Sequence, residues 1–140
     1  MFAGSTKVER RFALEVRELV LHERVELCGL AVTPYLMKHF SGAPSYALRI
    51  ETEGKVLAYS GDTEWVDELI PAGRDADLFI CEAYFFDKVM KYHIDYSTLA
   101  RRLPDIAPRR TIVTHMSAEL LGRQGEIALE AAYDGMVVEF

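Results

Sequence analysis

The chain has 140 residues, of which 50% are hydrophobic and 27% are charged, a balance typical of globular proteins. A chain of this length buries roughly two-thirds of its unfolded surface, so we expect residues 1–140 to form a single domain. The net charge of −6 disfavours loose binding to nucleic-acid phosphates, which requires clustered cations. The sequence shows neither a signal-peptide pattern nor an apolar run long enough for a membrane span, so we expect a cytoplasmic protein.

The first sixty residues have the apolar patterns of strands. The predicted strands cover residues 12–19, 24–27, 30–37, 46–51 and 56–60. Pro34 favours an edge position or a bulge in the third of them, because proline cannot donate a backbone hydrogen bond. The short connection Glu53-Gly54-Lys55 predicts a hairpin between the last two.

The second half of the chain predicts helices and strands in alternation. Helices are predicted over residues 63–70, 96–103 and 117–122, the first stopped by Pro71 and the second ended by Pro104, with Ser97 as a possible cap. Strands are predicted over residues 76–82, 111–114 and 136–140. Cys28 and Cys81 both lie in apolar, strand-like segments, and we expect both to be buried free thiols. The pattern therefore indicates one α/β domain.

Polar side chains with metal-binding chemistry follow several of these strands. Asp62 follows a predicted strand and Gly61, so its carboxylate projects from the end of the strand and could bridge two metal ions. The alternative is that Asp62 or Thr63 caps the following helix. His39 and His115 also come after apolar stretches, where a neutral imidazole is a good ligand, although a hydrogen-bonded structural histidine is the more common case.

A fourth residue, His93, lies in a loop before a predicted helix, and Glu82 ends the preceding predicted strand. A histidine oriented by a carboxylate can donate a proton to a leaving oxygen. The alternative is a solvent-facing loop residue. The residues alone are therefore compatible with two interpretations, a hydrolase site or a set of structural side chains.

The order and context of these residues resemble the C-terminal half of a metallo-β-lactamase-fold hydrolase, with the ribonuclease Z-like branch as the closest likeness. The stretches that carry the resemblance are His39–Ile50, Tyr59–Thr63, Ala76–Ala83, His93 and Ile112–His115. The resemblance implies half of an αββα sandwich, with a mixed, mostly antiparallel sheet and flanking helices. It also implies His39 and His115 as ligands of two different zinc ions, Asp62 as the bridging ligand and His93 as the proton donor; manganese is a possible replacement for zinc.

Members of this family carry a His-x-His-x-Asp-His motif in an N-terminal half, and this sequence contains no such motif. With His39, Asp62 and His115 alone, each of two ions would keep about two protein ligands, against the three usual for catalytic zinc. The three could instead converge on one ion. We therefore expect a hydrolase of phosphodiester bonds, on a small molecule or RNA, that is nearly inactive alone.

The missing half has a consequence for association. Half of a two-sheet sandwich leaves an apolar sheet face uncovered, so we expect a homodimer or a complex with a chain that carries the missing half. The alternative function is a non-catalytic remnant that serves as an interaction or dimerisation module.

Overall fold

The structure, a computed structural model, describes residues 11–13 and 15–140. These residues form seven strands of one sheet, which lie side by side in chain order. The strands are β1 Val25–Leu27, β2 Leu30–Met37, β3 Ser45–Thr52, β4 Lys55–Tyr59, β5 Leu78–Glu82, β6 Thr111–Thr114 and β7 Glu130–Ala131. The pairings from β1 to β4 are antiparallel and those from β4 to β7 are parallel. The predicted α/β class and mixed sheet are confirmed.

The predicted hairpin joins β3 and β4 through Glu53 and Gly54. Both residues have positive φ angles, 49° and 77°. This is the backbone of a type I′ turn, whose twist matches that of the two flanking strands. The Gly54 position is thus explained by its left-handed backbone.

Pro34 lies in the interior of β2, opposite Leu48 of β3. On the other side of β2, the ladder with β1 ends at Val32. The Pro34 carbonyl accepts a hydrogen bond from His22 N–H on that side, at 3.0 Å, so the proline nitrogen also points away from β3. The missing N–H therefore costs the β2–β3 ladder nothing, and the proline occupies a locally edge-like position.

The described residues contain three α-helices, α1 Leu69–Gly73, α2 Tyr96–Ile106 and α3 Ala118–Gly122, followed by a 3₁₀ turn at Gln124–Glu126. The prediction of a helix over residues 63–70 was wrong, because α1 begins only at Leu69. Pro71 lies in its first turn, where the missing N–H has no helical acceptor to lose. Among the described residues, no helix is long and apolar enough to cross a membrane.

The prediction that α2 ends before Pro104 was also wrong, since the helix continues to Ile106. Burial of Leu99 and Ile106 against the sheet outweighs the hydrogen bond that Pro104 removes. Ala107 is the C-cap of this helix. Its backbone is left-handed, and its N–H donates to Leu103 O at 2.9 Å. The N-cap of α2 is Asp95, which accepts from Thr98 N–H at 2.8 Å, and not Ser97.

Two predicted strands do not form. No strand forms over residues 136–140 or over the described residues of the segment 12–19. Residue 14 lies outside the described residues. Val16 and Val137 are exposed, and neither segment pairs with a neighbouring strand in the described structure. An alternating pattern alone therefore does not place a segment in the sheet, because a strand also needs a partner for its backbone groups.

The hydrophobic core lies between the helices and one face of the sheet. It includes Met37, Ala47, Ala58, Leu69, Phe79, Cys81, Leu99, Ile106, Val113 and Leu120. Both cysteines are free thiols, as predicted, and Cys81 is buried. Cys28 is exposed in the turn between β1 and β2, contrary to the expectation of burial, because its φ of 50° places it outside the strand.

The opposite face of the sheet is also apolar. Side chains alternate along a strand, so the residues between the core positions of β3, β4 and β5 point away from the helices. We call these residues the outer face: Leu48, Ile50, Leu57, Tyr59 and Ile80. They are neighbours in the strand register; Tyr59 is exposed and the others are half-buried. The described helices thus cover one face of the sheet and leave this band partly open.

Candidate metal centre

The polar residues predicted from the sequence meet at one edge of the sheet. Strands β2, β4, β5 and β6 all point in the same direction, because two antiparallel pairings separate β2 from β4 and the remaining pairings are parallel. His39 follows β2, Asp62 follows β4 and His115 follows β6, while Glu82 is the last residue of β5. The topology therefore brings these strand ends to one place.

The Asp62 carboxylate lies between two imidazole rings. Its Oδ2 atom is 3.9 Å from His39 Nε2 and 3.7 Å from His115 Nε2. These separations are too long for hydrogen bonds. They are close to the spacing of about 3.4 Å expected between two ligands that each lie roughly 2.1 Å from one tetrahedral ion. The donor set of two imidazoles and one carboxylate fits zinc or a similar transition metal.

His93 occupies the centre of this cluster. Its ring centroid lies 5.4 Å from that of His39 and 5.2 Å from that of His115, and Tyr84 stacks on it at 4.8 Å. Two groups of donor atoms could hold a metal ion: His39, Asp62 and His93, and Glu82, His93 and His115. All five predicted site residues therefore come together, and His93 belongs to both groups.

Glu82 is buried beneath the cluster and connects its parts. Its Oε2 atom lies 2.9 Å from His93 Nδ1, and its other oxygen accepts the backbone N–H of Thr63. Its own N–H donates to Ser60 Oγ at 3.0 Å. The carboxylate thus ties the segment that carries Asp62 to the loop that carries His93.

Burial is the main cause that raises the pKa of Glu82, to about 8, against the lowering effect of the Thr63 hydrogen bond. The negative charge of Asp62 raises this pKa further, and His115 lowers it. Glu82 and His93 are therefore placed to share a proton. Since Nδ1 faces Glu82, the Nε2 atom of His93 is the ring atom available for other contacts.

The backbone at the strand ends adopts uncommon conformations. Gly61 has a φ of 59°, and a Cβ atom there would lie 3.1 Å from the carbonyl oxygen of Tyr46. His115 also has a positive φ, 55°, which is unfavourable for a residue with a side chain. The turn at Gly61 directs the side chain of the next residue, Asp62, toward the cluster, and the backbone of His115 directs its own ring there.

The capping role considered for Asp62 and Thr63 is not observed. The helix that follows begins at Leu69 and, in the described structure, its first residues have no side-chain cap. The Thr63 hydroxyl instead accepts the backbone N–H of Lys38, next to His39, at 2.9 Å. Thr63 therefore helps to hold two ligand-bearing segments together.

Glu64 is a connecting residue that the sequence pattern did not single out. Its Oε1 atom accepts Tyr92 N–H at 3.2 Å and its Oε2 atom accepts from Lys38 Nζ at 3.1 Å. Burial opposes ionisation of Glu64, but these hydrogen bonds and the charge of Lys38 outweigh it and hold the pKa below its ordinary value. Its only sequence signal is its position two residues after Asp62.

Comparison with known proteins shows the family of this chain. A family model described as "Beta-lactamase superfamily domain" matches residues 3–116. An uncharacterised protein of Mycobacterium leprae, ML1173, is 32% identical over 127 residues, covering 88% of this chain and 44% of that protein. A ribonuclease Z of Geobacillus kaustophilus is 30% identical over 139 residues, covering 91% of this chain and 41% of that protein.

Two solved structures share the fold. The metallo-beta-lactamase fold protein YhfI from Bacillus subtilis gives a TM-score of 0.76 at 19% identity, covering 96% of this chain and 60% of that one. Zn²⁺-bound PqqB from Methylobacterium extorquens gives a TM-score of 0.67 at 19% identity, covering 87% of this chain and 55% of that one.

The sheet, its helices and the position of its polar edge define a protein of the metallo-beta-lactamase fold. The chain belongs to the beta-lactamase superfamily domain family. It spans less than half the length of the two curated relatives described above.

Proposed function

We propose that this chain provides the C-terminal half of a metal-dependent hydrolase that cleaves phosphodiester bonds in RNA or a small molecule. The single observation that carries the proposal is the placement of His39 and His115 on either side of the Asp62 carboxylate. The similarity to ribonuclease Z proteins over most of the chain supports the phosphodiester substrate.

In this proposal His39 and His115 are ligands of two different zinc ions and Asp62 bridges them. Such ions lower the pKa of a bound water and neutralise charge on a phosphate. Zinc is the metal we propose, with manganese as the possible replacement, because imidazole and carboxylate ligands suit both and a neighbouring fold member binds Zn²⁺. Asp62 fits the bridging position because its Oδ2 atom lies near the Nε2 atoms of both His39 and His115.

His93 is the proposed proton donor to the leaving oxygen. The buried Glu82 carboxylate orients the ring through Nδ1 and leaves Nε2 facing away from it. The proton on His93 Nε2 passes to the leaving alkoxide, while the proton shared with Glu82 stays on Nδ1, which leaves the imidazole neutral and Glu82 as the carboxylate.

The ligand set in this chain needs completion. Three residues supply about two protein ligands to each of two ions, fewer than a catalytic zinc site normally has. We propose that residues 1–140 form one half-fold domain that acts as a homodimer, or in complex with a cytoplasmic chain that carries the missing ligands. The outer face, with its half-buried apolar side chains, supports such an association.

The second candidate function is a non-catalytic interaction or dimerisation module. The outer face and the incomplete ligand set favour it. Metal content of the assembly that carries the missing half decides between the two: stoichiometric zinc or manganese after purification supports the hydrolase, and a metal-free assembly supports the module.

The first prediction concerns Asp62. Isothermal titration of the chain with zinc at neutral pH should show weak binding, and Asp62→Ala should reduce the affinity by at least roughly tenfold, because losing even an outer-shell partner of a metal costs that much. Asp134→Ala, a change at an exposed carboxylate in a turn, is the matched control. Equal binding by wild type and Asp62→Ala would exclude Asp62 as a ligand.

The second prediction concerns His93. In an assembly that supplies the missing half, His93→Ala should keep the fold and the metal content but lower phosphodiesterase turnover by roughly two to four orders of magnitude, the range for a lost general acid. His22→Ala, at an exposed histidine paired with Glu68, is the control. If His93→Ala retains wild-type turnover, His93 is not the proton donor.

The third prediction concerns association. At micromolar concentration, sedimentation equilibrium should give a mass above that of the monomer, and Tyr59→Glu on the outer face should shift it toward the monomer. Tyr133→Glu, at an exposed tyrosine outside the strands, should leave the mass unchanged. A wild-type monomer that binds no hydrophobic dye would show that the chain closes its own core, against the half-fold proposal.

A further inference from the structure

The loop between β5 and α2 combines aromatic and basic side chains next to the candidate metal centre. Its residues 84–92 read Tyr-Phe-Phe-Asp-Lys-Val-Met-Lys-Tyr. Lys88 Nζ lies 4.7 Å from the centre of the Phe85 ring and Lys91 Nζ lies 4.7 Å from that of Tyr92. Surfaces that bind single-stranded nucleic acids combine aromatic rings, on which bases stack, with cations that contact the phosphates.

Phe40 faces this loop from the segment after β2. It follows His39 directly and 77% of it is exposed. Its ring stacks on that of Tyr92, with centroids 6.4 Å apart and an angle of 29° between the planes. A single exposed phenylalanine is not informative alone. Here, however, the exposed ring extends an aromatic stack that begins at the site, because Tyr92 also contacts the His39 ring at 6.1 Å.

The Tyr92 ring is held in place by its backbone. Tyr92 has a positive φ of 73°, which is unfavourable for an aromatic residue. Its N–H donates to Glu64 Oε1 at 3.2 Å, and the Glu64 side chain also contacts Lys38 beside His39. A strained backbone fixed by a hydrogen bond next to a functional cluster points to a ring that is positioned for a ligand.

We infer that Phe40 and Tyr92 form a stacking platform for an unpaired nucleobase adjacent to the scissile phosphodiester. The inference assigns the flanking phosphates to Lys91, whose Nζ lies over the Tyr92 ring, and to Lys88 in the same loop. The inference rests on the proposed phosphodiesterase function and assigns its substrate class, a single-stranded nucleotide ester. Every base offers an aromatic face, so the platform tolerates different bases.

The charge of the protein limits how phosphates contribute. With a net charge of −6 and two loop lysines, the binding should come mainly from stacking. Each phosphate contact on a single strand contributes a slope of about −0.7 to log K against log salt, so the total slope should not be steeper than about −1.4.

The test is fluorescence anisotropy with labelled tetra-adenylate RNA and the whole chain in metal-free buffer. Phe40→Ala should weaken binding roughly 5- to 150-fold, the range for loss of one base-stacking ring. Phe40→Trp should restore it, whereas Tyr133→Ala, at another exposed aromatic residue, should not change it. Lys88→Ala and Lys91→Ala should each lower the salt slope, and Lys55→Ala, at the opposite end of β4, should not.

A tetranucleotide without bases separates stacking from charge. The inference predicts weak binding of this probe, equal for wild type and Phe40→Ala. It is overturned if wild type does not bind tetra-adenylate, if Phe40→Ala binds it like wild type, or if the abasic probe binds equally well. It is also overturned if Phe40→Ala lowers the sedimentation mass without changing RNA binding, since Phe40 then belongs to a protein interface.

The binding assay needs no metal and no turnover, so its result is independent of the zinc titration. Absence of zinc binding with intact, Phe40-dependent RNA binding would reject the hydrolase proposal and keep the platform as a base-binding site only. Intact zinc binding without RNA binding would reject the platform and keep the hydrolase proposal.

Discussion

The buried carboxylate of Glu82 is the interaction on which the geometry of the polar edge depends. It holds the backbone of Thr63 with one oxygen and the ring of His93 with the other. A carboxyl group removed from water is costly unless both oxygens have hydrogen-bond partners, and here both do. If the side chain were lost, the Thr63 N–H would be buried without this acceptor and the His93 ring would lose its orientation. One buried group therefore fixes two functional segments.

The sheet supplies the rest of the arrangement. Parallel strands end at a common edge, so residues far apart in sequence, such as Asp62 and His115, reach the same place without a dense local motif. Thr63 and Glu64 then join the segments after β2 and β4, because each contacts Lys38. Fold and site are thus coupled at the strand ends.

The sequence predicted those features that depend on local pattern and strand order. The hairpin at Glu53-Gly54, the strands that flank it and the meeting of His39, Asp62 and His115 all follow from alternation, turn chemistry and strand ends. Features decided by packing were missed. Pro71 lies in the first turn of α1, and Pro104 lies within α2 because neighbouring residues are buried. Residues 12–19 lack a pairing strand in the described structure. Glu64 was missed because its partners are distant in sequence.

The central claim is that His39, Asp62 and His115 of this chain bind zinc, each histidine together with Asp62. The most direct measurement is the X-ray absorption spectrum at the zinc edge for the chain loaded with one equivalent of zinc. The structure predicts a first shell of nitrogen and oxygen atoms, with the multiple scattering of imidazole rings. A first shell containing sulfur, which would come from the exposed Cys28, or one without imidazole scattering would contradict it.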